Sequence, residues 1–155
     1  MSDLGESEDN PSVTIGAKAG DRLVITVLGR MHAGATDSWD GNWLFSPVDL
    51  VAGGFTARVP AGLRADELQS FREQLAKAYD GFGGVAQLTS MEKWLDLTVT
   101  VAKSGAVEVE GVAIDGHGTG NKLSFRIGEL DQTHLPAILD GLSSIEEVFP
   151  VFGQR

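Results

Sequence analysis

The residues of this chain that could carry out chemistry are few and scattered. Its three histidines, His32, His117 and His134, have no second histidine at H-x-x-x-H spacing, and the absence of cysteine removes every thiolate ligand or nucleophile. His134 falls in the first turn of a predicted helix, where the positive end of the helix dipole disfavours an imidazolium. The glycine-rich run at 115–122 lacks the G-x-x-x-x-G-K-[ST] spacing of a phosphate loop. It also leads into a strand, with no helix N-terminus to receive an anion, so its glycines are read as positive-φ turn residues. No G-x-S-x-G elbow is present. Glu108 and Glu110 share one face of a strand, which would suit a glycosidase-like pair only inside a cleft; solvated alternation explains them more simply. The reading is a chain with no catalytic residues, no metal site and no cofactor.

The elements that would position any site are mostly strands. The chain has 155 residues, 42% of them hydrophobic, enough for one domain with a real core. Residues 1–11 are polar and acidic and are read as a disordered tail; 12–155 are read as a single α+β domain. Alternation predicts strands around Val13 and Ile15, over 23–28, over 42–51 with an interruption at Pro47, and over 55–59 after the turn at Gly53-Gly54. The segment 23–28 is apolar on both faces, as a central strand is. Leu68, Phe71, Leu75 and Ala78 or Tyr79 then fall at helical spacing, closed by Gly81, Gly83 and Gly84. Four more strands follow, at 85–89, 95–102, 107–114 and 123–127. A last helix is capped by Asp131 or Thr133, with Leu135, Ile138, Leu139, Leu142 and Ile145 as its buried stripe. The expected architecture is one antiparallel sheet of about eight strands with both helices on one face. A shift of 67 residues superposes Leu63 on Leu130, Leu68 on Leu135, Phe71 on Ile138, Leu75 on Leu142 and Phe82 on Phe149. That pattern fits a ββββα duplication, and equally two amphipathic helices that each follow a strand.

Charge narrows the partners. The formal net charge is −10, which repels nucleic-acid backbones and anionic membranes and steers a basic protein inward. No apolar stretch reaches membrane-spanning length, and the acidic N-terminus has no apolar core of a secretory signal, so the expected location is the cytoplasm. From Ile127 to Gln154 there is no Lys or Arg, while Asp140, Glu146 and Glu147 lie on the last helix. Glu146 and Glu147 sit near a helix C-terminus, where the dipole disfavours them, so this acidic helix is a candidate contact surface.

The densest unusual segment is Asp37-Ser38-Trp39-Asp40-Gly41-Asn42-Trp43-Leu44. If the strand already begins there, Trp39, Gly41 and Trp43 share one face and form an aromatic anchor, with Asp40 and Asn42 on the other. In the alternative, one tryptophan caps the core while Asp40 and Asn42 build a turn through side-chain-to-backbone bonds. The candidate partner-binding residues are therefore Trp39, Asp40, Trp43, Asp140, Glu146 and Glu147.

The W-D-G-N-W string with Ala52-Gly53-Gly54-Phe55 resembles the WapI-like family of bacterial immunity proteins. Phe71-Arg72-Glu73-Gln74-Leu75, Thr89-Ser90-Met91-Glu92-x-Trp94-Leu95, Gly120-Asn121-x-Leu123 and Leu130-Asp131-Gln132-Thr133-x-Leu135-Pro136 extend the likeness from Asp37 to Pro136. The resemblance implies a cytoplasmic antidote that binds and neutralises a cognate toxin domain, with no catalytic residues. Net acidity adds the expectation of a basic, nuclease-type toxin. The alternative is a regulatory or small-ligand-binding domain that uses the free sheet face and the tryptophans.

Overall fold

The computed structural model describes residues 10–17, 19–116 and 120–153. Residues 1–9 of the acidic tail and His117 lie outside them. The described residues form β1 (Ser12–Gly16), β2 (Arg22–Thr26), β3 (Gly29–Arg30), β4 (Trp43–Phe45), β5 (Val48–Ala52), β6 (Phe55–Val59), β7 (Gly62–Arg64) and α1 (Ala65–Asp80). They continue with β8 (Gly84–Thr89), β9 (Leu95–Val101), β10 (Ala106–Ile114), β11 (Lys122–Asp131) and α2 (Leu135–Val148). The class is α+β, and every strand pairing is antiparallel.

The single eight-stranded sheet is corrected to three sheets, with orders β1-β2-β5-β6, β11-β10-β9-β8 and β3-β4-β7. The cause is a break at matching heights in two paired strands. Val48 pairs with Val59 on one side of the break and Phe45 with Gly62 on the other. Between them stand Ser46-Pro47 and Pro60-Ala61, and neither proline can donate to a ladder. The fully buried Ser46 bridges the gap. Its N–H donates to the Ala61 carbonyl at 3.0 Å, and its Oγ accepts from the Leu63 N–H at 2.9 Å. The expected 42–51 strand thus becomes β4 and β5, in different sheets. Ser46→Ala is expected to strand the buried Leu63 N–H and destabilise the fold by about 1–3 kcal/mol, measured by urea unfolding.

Alternation places Ile15, Leu23, Ile25, Leu50, Leu88, Leu95, Leu97 and Ile127 in one continuous apolar core. β2 is central in its sheet, as its two-sided apolar character predicts. The helices do not share one sheet face. α1 buries Leu68, Phe71, Leu75 and Ala78 and rests chiefly on β8, whereas α2 buries Leu135, Ile138, Leu142 and Ile145 and rests on β1. Gly141 permits the second contact, since a Cβ there would lie 2.9 Å from the Val13 Cα. The helices also pack on each other, running antiparallel. Arg72 Nε and Gln69 Nε2, early in α1, donate to Glu146 near the end of α2 at 2.6 and 3.1 Å. Asp131 accepts from the Thr133 N–H at 2.9 Å in a 3₁₀ turn that leads into α2, and Pro136 occupies the first turn of the helix. The second half is a ββββα meander, but the first has seven strands before its helix. Phe82 is exposed where its counterpart Phe149 packs against the core.

Candidate functional site

The W-D-G-N-W segment lies at the N-terminal end of α1, and its local fold starts from Asp37. That carboxylate accepts from the N–H groups of Asp40 and Trp39 at 3.0 and 3.2 Å and sets residues Asp40–Asn42 into a 3₁₀ turn. The two tryptophans therefore do not alternate along a strand. The turn brings their rings together edge to face, 5.7 Å between centroids at 89°. Trp43 is 7% exposed and Trp39 is 55% exposed. Of the two readings left open by the sequence, the local geometry contains parts of both: one ring is buried and one is offered to solvent.

Arg64, the residue before α1, fixes this arrangement. Its guanidinium carbon lies 4.9 Å from the Trp39 ring centroid and 4.8 Å from that of Trp43. Nη1 and Nη2 donate to the carbonyls of Trp39 and Ser38 at 2.9 and 2.6 Å, and Nε donates to Asp66 at 3.0 Å. The residue is only 4% exposed, yet its charge is paired and its planar donor fork is largely used.

A second clamp closes the loop from the opposite end of the chain. The buried Asn42 donates from Nδ2 to the Ser38 and Phe152 carbonyls at 2.9 and 3.0 Å, and its Oδ1 accepts from the Phe152 N–H at 2.8 Å. Arg30 donates to the Gly41 and Pro150 carbonyls at 2.6 and 2.7 Å and stacks 3.9 Å from the centre of the Phe152 ring. Gly41 is required for that fit, because a Cβ there would sit 2.9 Å from the Phe152 ring. The strap after α2 and the tryptophan loop are one packed unit, and Asn42, not Asp40, supplies the side-chain-to-backbone bonds. Arg64, Arg30 and Phe152 escape sequence reasoning because the carbonyls and amide that tie them to the loop and strap are 11 to 120 residues away. Only Asn42 was visible as a turn former.

The other candidates divide by helix face. Asp140 and Glu147 are seven positions apart, so they share the face of α2 that points away from the core, and both are exposed. Glu146 flanks the buried stripe and is held by Arg72 and Gln69, which accounts for a carboxylate so close to a helix C-terminus. Asp40 is exposed beside Trp39. The structure thus brings Trp39, Asp40 and Trp43 together and sets Asp140 and Glu147 on the adjoining helix, joined to the loop by the strap. His32 is exposed, and His134 pairs with Asp131 in the turn before α2. Among the described residues no group of three or more His, Cys, Asp or Glu side chains is arranged to hold a metal ion.

The loop carboxylate also sets an acid response. Chiefly through the Asp40 N–H, the Asp37 carboxyl is held below the ordinary aspartate range, as Asp131 is by the Thr133 hydroxyl and Asp115 by the Asn121 side chain. Depressed carboxylates contribute stability that is present above their unfolded values and lost as pH falls through the folded ones. Burial pushes Glu67 upward, which acts in the opposite direction at higher pH. Thermal stability is therefore expected to fall most steeply once pH drops below about 4. Asp37→Asn should flatten the part of that loss reported by tryptophan fluorescence.

Among known families, the immunity protein WapI-like family matches residues 14–150. The chain belongs to the WapI-like immunity protein family. The match covers both helices, the tryptophan loop and all but the first two residues of the four-stranded sheets, and it ends two residues before Phe152. No curated protein and no solved structure matches the chain. Among the described residues no helix is long and apolar enough to cross a membrane.

Proposed function

We propose that this WapI-like protein acts in the cytoplasm as a non-catalytic antidote. It binds and neutralises a cognate bacterial toxin domain that is basic and nuclease-type. Family membership supplies the immunity role. The observation that carries the binding reading is Trp39, a half-exposed indole locked by a buried arginine and bordered by Asp37, Asp40 and Asp66. An anchor fixed before contact loses little entropy on binding, and the carboxylates around it favour a cationic partner. Asp140 and Glu147 extend the acidic surface along α2, while Trp43 and Glu146 support it from beneath.

The test is protection in cells. The gene immediately upstream is expected to encode that toxin domain, and wild-type protein is expected to rescue growth of bacteria that express it. Trp39→Ala should weaken binding about tenfold or more, mainly through faster dissociation. The double reversal Asp140→Lys with Glu147→Lys should slow association about tenfold at low salt. Failure of the wild-type chain to rescue, or unchanged binding by both variants, would defeat the proposal.

A small-ligand role has one observation in its favour. A cleft of about 730 Å³ opens at the sheet break, lined by Leu28, Phe45, Pro47, Arg58, Pro60 and Ala61. Its size suits a small apolar molecule. It is lined by neither tryptophan, so a ligand there should leave Trp39 fluorescence unquenched.

A further inference from the structure

Phe82 occupies a position that neither packing nor backbone preference explains. It follows α1, where the Gly83 N–H donates to the Ala78 carbonyl at 2.9 Å and the Phe82 N–H to the Tyr79 carbonyl at 3.3 Å. Those two bonds define a helix ending whose central residue must be left-handed, a place ordinarily filled by glycine. Here glycines stand on both sides and phenylalanine takes the left-handed site, with φ at 55°. A bulky side chain in that region is strained. Burial does not compensate, because Phe82 is 67% exposed. Among the described residues the other non-glycine positions at positive φ are Lys93, between β8 and β9, and Glu129, in β11; both are charged and exposed.

Its surroundings extend the surface already described. Tyr79, Phe82, Gln132, Thr133 and Pro136 border a hollow of about 340 Å³ between the end of α1 and the start of α2. Because the helices are antiparallel, this hollow lies at the opposite end of the helical layer from Trp39. α1 has 16 residues, so the two aromatics are separated by roughly 24 Å at 1.5 Å per residue. Glu73 and Asp80 on α1, with Asp140 and Glu147 on α2, are exposed between them; Lys77 is exposed there too, and Arg72 is held by Glu146 at 2.6 Å with its other end 3.9 Å from Glu73. A standard interface of about 800 Å² per partner is roughly 30 Å across, wide enough to cover both aromatics and the acidic strip.

We infer that Phe82 is a second anchor for the partner that Trp39 binds, and that this partner presents two apolar recesses separated by a basic strip. The inference rests on the antidote reading, and it names the footprint. A second copy of this acidic chain is a poor occupant, since like charges would face each other along the strip.

Phe82→Gly separates a binding role from a structural one. Glycine relieves the left-handed strain, so the full-length variant should melt at the same temperature as wild type or higher. Its affinity for the inactivated upstream-encoded toxin domain should fall about tenfold or more, and Tyr79→Ala should weaken binding to a lesser degree. Wild-type affinity in Phe82→Gly, with Trp39→Ala still impaired, would overturn this inference and leave the antidote reading standing. A lower melting temperature for Phe82→Gly would assign the side chain to the fold. Sedimentation showing a wild-type dimer that Phe82→Gly dissociates would assign it to self-association. Absence of any binding by the wild-type chain would remove the antidote reading and this inference together.

Discussion

Arg64→Ala is expected to destabilise the protein by about 2–4 kcal/mol and to unlock Trp39. The substitution leaves the Trp39 carbonyl without its arginine donor, leaves the Ser38 carbonyl with Asn42 alone, and opens a space between two indole rings that now share one guanidinium. Partners left unmade in a buried setting account for most of the loss, because the wild-type charge is already paired with Asp66. Arg64→Lys should recover only part of it. An ammonium keeps the charge but cannot reach two carbonyls and a carboxylate from one plane while stacking between rings. Urea unfolding followed by far-ultraviolet dichroism gives the stability change, and acrylamide quenching gives the freedom of Trp39. Wild-type stability and quenching in Arg64→Ala would show that the stack is incidental.

Asn42→Ala should cost about 2–3 kcal/mol and release the strap that follows α2. Three hydrogen bonds disappear at once, two of them to the backbone of Phe152. Asn42→Asp discriminates more sharply. A carboxylate can still accept from the Phe152 N–H, but it cannot donate to the Ser38 or Phe152 carbonyls and would repel both. It should therefore be at least as damaging as alanine despite its matching shape. Hydrogen exchange at the Phe152 amide reports the strap directly, and faster exchange is expected in both variants. Unchanged protection would mean that Arg30 alone holds the strap, through its bonds to the Gly41 and Pro150 carbonyls.

Most of the fold was legible wherever local pattern decides it. Period-2 alternation located β1, β2, β5, β6, β8, β9 and β10, and 3.6-residue spacing located both helices and most of their buried stripes, with Ala78 buried in place of Tyr79 and Leu139 only partly buried. Sheet membership was not legible. Pro47 announced an interruption, but the matching break at Pro60-Ala61 acts only through pairing, and the three-residue strand β7 is too short for alternation to register. The candidate site divided in the same way. Trp39 and Trp43 stood out by type and spacing, and Asp140 with Glu147 by the absence of nearby bases. Their supports, Arg64, Arg30 and the Phe152 backbone, depend on contacts across long stretches of chain that no local rule can see. Glu146 shows the limit of reading charge alone: its distance from any base in sequence concealed Arg72, which tertiary packing places 2.6 Å away.

The proposal that the protein acts as a rigid acidic binder is tested most directly by following its association with the inactivated upstream-encoded toxin domain at low and high salt. Tight one-to-one binding is expected, with an association rate that drops by at least about tenfold as screening shortens the reach of the carboxylates. Trp39 should become protected from quencher in the complex. Absence of a complex, a salt-independent association rate, or loss of the toxin's substrate through turnover by this chain would contradict the account.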